Sequence, residues 1–193
     1  MDEFTSADDA LTVVHQVVQT IGPDDLRSAT PCGDWDVTAL ADHLIDTISR
    51  LGAAAGIAPT GTNAGSIDER IRQVTQAILA GWRLLGLAGD VPFSGRILPS
   101  PLALGILSLE LLVHGWDFAV ALHRPFHASD AHAAYVLGLA RQTLTAESRV
   151  TAGFGPPVPV SADASCLDQL VAFTGRDPRR LMMFCGTAFD GIR

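Results

Sequence analysis

The chain has 193 residues, of which 48% are hydrophobic and 18% charged, a composition typical of one globular domain with a sizeable core. The formal net charge is −8 and lysine is absent, so we expect neither nucleic acid nor a membrane as a partner. The N-terminus MDEFTSADDA is acidic and polar and lacks the basic and apolar regions of a secretory signal, which favours a cytoplasmic protein.

Three cysteines lie far apart and form no CxxC pair: Cys32, Cys166 and Cys185. This spacing argues against a disulfide scaffold and against a zinc ribbon, and it fits a reducing compartment. Cys32 lies near the start of a predicted helix, where a thiolate would be favoured, but a packed or exposed thiol is the simpler interpretation.

Helical periodicity dominates the first half of the chain. The first predicted helix has Ser6 and Asp9 as a capping box and ends at Gly22-Pro23, with apolar residues at helical spacing: Leu11, Val14, Val18 and Ile21. The second has Asp36 as its N-cap and extends from Val37 to about Leu51. His43 lies beside its inward stripe, which consists of Leu40, Leu44, Ile48 and Leu51.

A linker of small residues, GAAAGIAPTGTNAGS, separates the second helix from the third. The third helix is predicted from Ile67 to about Leu87, with four inward residues: Ile71, Val74, Ile78 and Leu85. The segment GDVPFSGRILPSP that follows is too rich in Gly and Pro for a helix and predicts an extended loop or a short hairpin.

The fourth predicted helix, residues 102–122, is apolar enough to approach a membrane span and stops near Pro125. Its middle part contains Glu110, His114 and Asp117, and each such charge costs ~2.5–3.5 kcal/mol at a bilayer centre. We therefore predict a buried helix of a soluble protein.

Two further helices complete the pattern, one from Ala131 to about Arg149 and one from Cys166 to Phe173 that ends at Gly175. Long helices joined in this way favour an all-α fold, an up-and-down four-helix bundle with short additional helices. We expect residues 1–193 to form a single domain.

Glu110 and His114 are four residues apart, so both project from one face of the fourth helix. Carboxylate and imidazole are ligands of first-row metals, and His43 from the second helix is the natural third ligand of an open site. The simpler alternative is that Glu110 and His114 pair with each other or with arginines, in a bundle without metal.

Three segments resemble a known family. They are TPCGDWDVTALADHL at Thr30–Leu44, ELLVHGWDFAVAL at Glu110–Leu122, and LDQLVAFTGRDP at Leu167–Pro178. Over roughly residues 8 to 180 the chain resembles the DinB-like metal-binding bundles related to the N-terminal domain of mycothiol-dependent maleylpyruvate isomerase. In that domain a His on the second helix and a Glu and His one turn apart on a later helix hold a divalent ion.

The resemblance implies that His43, Glu110 and His114 bind a divalent ion, zinc first, with nickel or iron accepted by the same ligands. It further implies mycothiol as a co-substrate and an S-transfer or isomerisation of an electrophile by a metal-activated thiol. Only residues 179–193 follow the GRDP segment, so we expect no counterpart of the isomerase's C-terminal domain and a reaction on another electrophile. The competing hypothesis is a non-catalytic metal-binding bundle, a sensor or partner-binding module.

Other residues have two interpretations each. Asp117 could accept the second ring proton of His114 or pair with an arginine. Trp35 and Trp116 could line a pocket, although core packing is commoner. Several residues are expected to have local or surface roles: Asp34, His15, His132, and Arg176 with Asp177 in the GRDP turn. The sequence assigns no general acid or base, and it leaves a homodimer open.

Overall fold

The computed structural model describes residues 1–58 and 64–181. Helix makes up 62% of the structure, and the described residues form a single sheet of two strands, so the predicted all-α class is confirmed. Four helices are long: α1 (Glu3–Val18), α2 (Val37–Ala54), α3 (Ile67–Leu85) and α4 (Ser100–Ala121). Three are shorter: α5 (Asp130–Thr143), α6 (Ala146–Ala152) and α7 (Cys166–Phe173). A 3-10 turn covers Pro23–Asp25.

Helix α4 lies at the centre of the fold and contacts α1, α2, α5 and α7. It is long and apolar enough to cross a membrane, but 94% of its most apolar window is buried inside the protein. A helix that is apolar all round needs apolar neighbours on every side, which is the environment that these contacts supply. The prediction of a buried core helix is confirmed.

The segment between α3 and α4 forms a hairpin, the second of the two predicted alternatives. Strand β1 (Asp90–Phe93) pairs antiparallel with β2 (Arg96–Pro99), and Phe93 lies opposite Arg96. Both turn residues have positive φ, 49° at Ser94 and 75° at Gly95, as a two-residue turn with the right twist for a hairpin requires.

Helices α2, α3, α4 and α7 begin or end close to their predicted limits, and Asp36 caps α2 by accepting a hydrogen bond from the Ala39 amide. The set of buried residues in α3 differs from the prediction at two positions. Leu85 is 61% exposed, because it is the last helical residue, and Trp82 takes the buried position one turn earlier.

The predicted start of α1 was wrong. The helix begins at Glu3, and the Asp2 carboxylate caps it by accepting from the Thr5 amide at 2.9 Å. Ser6 lies inside the helix, is buried, and has its hydroxyl 3.0 Å from that of Ser108 and 3.1 Å from the His132 ring. The expectation that His132 is a surface residue was therefore also wrong.

The predicted helix from Ala131 to about Arg149 is in fact two helices. It breaks after Thr143 because Thr145 and Ser148 form a capping box that begins α6. The Ser148 hydroxyl accepts from the Thr145 amide at 2.8 Å, and the Thr145 hydroxyl accepts from the Ser148 amide at 3.2 Å. Local capping outweighs the apolar periodicity there.

After α7 the chain turns at Gly175, which has a φ of 91°. Its backbone lies against Gly155 so closely that a Cβ on Gly175 would be 2.6 Å from the Gly155 Cα. Both the left-handed conformation and the close approach require glycine here. This turn places Arg176 against the core, where it is buried.

Replacing Gly175 with alanine should destabilise the fold by about 1–3 kcal/mol, because the backbone would be strained and the contact with Gly155 would clash. Gly138, in the middle of α5, is the matched control, since a Cβ there would meet no atom within 4 Å. Gly138→Ala should raise the free energy of unfolding by about 0.5–1 kcal/mol, as expected for a helix interior. Urea denaturation of the two variants measures both effects, and equal stability of Gly175→Ala and the parent would contradict the first.

Candidate metal centre

Helices α2 and α4 bring the three predicted ligands together. Each of His43, Glu110 and His114 offers a ligand atom, and these atoms all lie within 4.8 Å of one another. The Glu110 Oε2 atom is 3.1 Å from His114 Nε2 and 4.0 Å from His43 Nε2. The two imidazole rings meet edge to face with centroids 5.2 Å apart. The one-turn spacing on α4 sets the distance between the Glu110 and His114 ligand atoms. The packing of α2 on α4 sets the distances from these two atoms to His43.

The Glu110 and His114 atoms at this point have no hydrogen-bond partner. Although Glu110 Oε2 and His114 Nε2 are buried and 3.1 Å apart, their geometry does not make a hydrogen bond between them. Buried polar atoms in proteins are nearly always paired, so two unpaired atoms side by side require an explanation. A cation bound between them would satisfy both, and the donor set of two imidazoles and a carboxylate suits a divalent transition metal.

The second nitrogen of the His114 ring is fixed by Asp117. His114 Nδ1 lies 3.0 Å from Asp117 Oδ2. Asp117 therefore accepts the second ring proton of His114, which is one of the two roles considered for this carboxylate. With the Nδ1 proton donated to Asp117, the Nε2 lone pair of the neutral ring points toward Glu110. Burial disfavours the charged ring, but the hydrogen bond to Asp117 and the negative charges of Glu110 and Asp117 outweigh it and raise the pKa of His114. A cation at this point, whether proton or metal ion, is therefore favoured.

Asp117 also pairs with an arginine, so both of its interpretations are confirmed together. The partner is Arg176, whose Nε and Nη2 donate to the carboxylate at 3.2 and 2.8 Å. Burial alone would raise the pKa of Asp117, but the Arg176 charge and the hydrogen bonds from His114 and Arg176 hold it below its ordinary value. The expectation that Arg176 only turns the chain was wrong. A buried aspartate in an apolar helix needs a cation, and that was the signal that could have identified this residue.

His43 occupies the more open side of the centre, since a quarter of its side chain is exposed. Its ring lies 4.4 Å from that of Trp35, centroid to centroid. Burial and the neighbouring His114 lower the pKa of His43, which keeps the imidazole neutral and able to bind a metal ion near neutral pH. Trp35 lines a cavity and also packs against the core, so both of its interpretations apply. Trp116 is fully buried in the core.

A cavity of about 670 Å³ adjoins the centre, within the size range of small-molecule sites. It is lined by residues of α2, the hairpin, α4 and the segment from α5 to Phe154, among them His43, Thr47, Arg50, Phe93, Arg96 and Glu110. The hairpin therefore borders the cavity. The described residues of the small-residue linker do not line it, and residues 59–63 lie outside the described part of the chain.

Cys32 adjoins the centre as a packed thiol. Burial is the main cause that raises the pKa of Cys32 to about 11, against the opposing charge of Arg176, whose Nη2 is 3.5 Å from the sulfur. Cys32, His114 and Asp117 also offer ligand atoms within 4.8 Å of one another. Because Asp117 is already held by Arg176, and the thiol stays protonated, His43, Glu110 and His114 fit a metal ion better. Cys166 is a half-buried free thiol, and Cys185 lies outside the described residues.

The remaining histidines of the described chain lie away from the centre. His15 is a surface residue, as expected, with 41% of its side chain exposed, and its Nδ1 lies 2.6 Å from Asp68 Oδ1. His123 and His127 both follow the end of α4 and are exposed. Asp177 binds the exposed Arg179 side chain, which fits the predicted role in the turn.

Comparison with known proteins finds two relatives in Mycobacterium tuberculosis, the uncharacterized protein MT0763 of strain CDC 1551 and the uncharacterized protein Rv0738 of strain H37Rv. Each is 25% identical to this chain over 189 residues, which cover 93% of this chain and 100% of the relative. No family model matches the chain, and no solved structure matches it significantly.

Asp117→Asn should cost about 3–5 kcal/mol of stability, because it leaves the buried Arg176 charge without its counterion. Adding Arg176→Met to this variant should recover part of the loss, since both charges are then gone. Asp177→Asn, in the exposed pair with Arg179, is the control and should leave the urea midpoint close to that of the parent. A double variant less stable than Asp117→Asn would contradict this account of the pair.

Proposed function

We propose that this chain is a DinB-like four-helix bundle that binds one divalent metal ion through His43, Glu110 and His114. The observation that carries the proposal is that Glu110 Oε2 and His114 Nε2 are buried without a hydrogen-bond partner. The ligand atoms of these two residues and of His43 lie close enough together to hold one ion. Zinc is the first choice for two imidazoles and a carboxylate, and nickel or iron suits the same donors.

The contacts among the four long helices support the bundle. Helix α1 packs along α4 and also touches α3, and α2 packs on both α3 and α4. Each long helix thus has two long neighbours, which is the pattern of contacts in a four-helix bundle. The ligands come from two of these neighbours, α2 and α4, as in metal sites built inside such bundles.

We further propose that the protein is an enzyme that uses a small-molecule thiol, of the mycothiol type by resemblance, on an electrophilic substrate. Three protein ligands leave coordination positions free, and the adjoining cavity has room for a thiol and a substrate. When bound, the ion would lower the pKa of a thiol in contact with it and so supply a nucleophile near neutral pH. Asp117 holds the His114 ring in one tautomer, and Arg176 keeps Asp117 ionised.

The metal content of tag-free protein, purified without added metal, tests the first part of the proposal. We expect about one equivalent of ion in the parent and little in His43→Ala or His114→Ala, because each loses one of three ligands. The exposed His127 provides the control, since His127→Ala should keep the parent's content. Chelation should lower the melting temperature of the parent and leave that of the ligand variants unchanged.

A parent protein without metal that takes up neither zinc nor nickel on dialysis would overturn this assignment. Glu110 and His114 would then be a buried structural pair in a metal-free bundle, with the proton as the shared cation.

Turnover tests the second part. With a low-molecular-weight thiol and a panel of model electrophiles, we expect thioether formation or isomerisation that a chelator abolishes and zinc restores, since the nucleophile depends on the ion. His127→Ala should retain this activity and His43→Ala should lose it. Stoichiometric metal with no metal-dependent turnover from any thiol and electrophile would instead support the non-catalytic alternative, a sensor or partner-binding module.

A further inference from the structure

The cavity beside the candidate metal centre extends along α2 from His43 to Arg50, both of which line it. These residues are seven positions apart, which corresponds to about 10 Å along the helix axis. The hairpin lies at the Arg50 end, where the guanidinium carbon is 6.0 Å from the centre of the Phe93 ring. A molecule that reacts at the His43 end therefore has room for an elongated body that reaches Phe93.

The wall of this cavity is mainly apolar. Aromatic rings lie at both ends: the Trp35 ring is 4.4 Å from that of His43, centroid to centroid, and Phe93 is half-buried next to Arg50. Between them the wall includes buried aliphatic side chains of β2 and α4, namely Leu98, Ile106 and Leu109. Apolar surface of this kind favours an apolar ligand, because each covers the other from water.

The charged groups of the wall favour neither an anion nor a cation. Apart from Glu110 of the candidate metal centre, the described lining residues include four charged side chains. Arg50 pairs with Asp46, with 3.5 Å between Nε and Oδ2. Arg96 and Glu147 have opposite signs, and both are exposed to solvent. A charged ligand would lose hydration in this cavity without gaining a buried partner of opposite charge.

We propose that the cavity binds an uncharged, elongated molecule with an aromatic ring, which packs against Phe93 while the other end of the molecule lies near His43. The inference rests on the proposed function and names its substrate class, an electrophile with an uncharged aromatic body. Contact between two aromatic rings adds to the free energy of apolar burial, so Phe93 is the residue expected to select for a ring.

Two fluorescent probes that differ by one charged group test the inference. N-phenylnaphthylamine is uncharged, and anilinonaphthalenesulfonate has the same ring system with a sulfonate added. The fluorescence of each probe rises in apolar surroundings and gives its Kd on titration with the parent protein. The uncharged probe should bind at least tenfold more tightly than the sulfonate, roughly the cost of burying a charge that finds no partner.

Variants of the hairpin locate the bound ring. Phe93→Ala should raise the Kd of the uncharged probe about fivefold to tenfold, because the ring contact and its apolar area are lost. Phe93→Leu keeps apolar bulk at the same position and should raise the Kd about twofold to threefold. Ile97→Ala is the matched control on the same hairpin, since Ile97 is 69% exposed and is not among the residues that line the cavity. This variant should keep the parent's Kd.

Chelation of the protein separates this inference from the metal centre. The uncharged probe is expected to contact the wall rather than the ion, so removal of metal should change its Kd by less than about threefold. Probe binding that chelation abolishes would contradict the wall as the source of affinity. A parent that takes up no metal but binds the probe overturns the metal centre and supports the cavity as a site for an uncharged aromatic molecule.

Three results would overturn the inference itself. Equal or tighter binding of the sulfonate excludes the uncharged class of ligand. An equal Kd for Phe93→Ala and the parent excludes the position of the ring. A parent that binds neither probe excludes the cavity as an aromatic site, even if the protein contains stoichiometric metal.

Discussion

The Asp117 carboxylate is fully buried near the C-terminal end of an almost wholly apolar helix, and the local structure is arranged around its charge. An unpaired carboxylate in this position would cost several kcal/mol, so the fold must bring donors to it. His114 supplies one from the same helix, and Arg176 supplies two from the turn after α7. The buried charge of Asp117 thus sets the tautomer of His114 and holds the turn after α7 against the core. Gly175 is part of the same requirement, because its left-handed conformation turns the chain so that the Arg176 guanidinium lies next to Asp117.

The polar residues of α4 also explain why this helix belongs inside a protein. Its length and hydropathy suit a membrane as well as a core, and the composition of the helix does not decide between them. The decision comes from the partners of its polar groups. Asp117 is paired with an arginine from another segment, Ser108 with Ser6 of α1, and Glu110 faces His43 of α2. Each of these groups thus faces a polar group on a neighbouring element of the same chain, and such elements surround the helix on every side.

The parts of the structure that the sequence predicts well are those that depend on local spacing. The limits of α2 and α7, the hairpin, and the shared face of Glu110 and His114 all follow from patterns within a few residues. The missed features depend on contacts between distant segments. Ser6 has the spacing of a cap, but it packs against α4 and α5. Arg176 lies in a turn motif, and its partner is 59 residues away along the chain. His43 was predicted as the third ligand because its helix carries an imidazole beside the apolar stripe, a pattern that indicates a neighbour across the core.

Buried side-chain atoms without a hydrogen-bond partner occur at two of the three residues of the candidate metal centre. Within the described residues, five buried side-chain atoms have no partner, and three of them belong to Glu110, His114 and Thr47. The other two are nitrogens of Arg70 and Trp116, and Arg70 still pairs with Asp42 through a second nitrogen. A core selected for stability alone would pair such groups or replace them with apolar ones. Two of the five, Glu110 Oε2 and His114 Nε2, lie 3.1 Å apart, and an ion bound between them, as proposed above, would supply the missing partner of both. The same atoms that weaken the protein in isolation would strengthen it once that ion is bound.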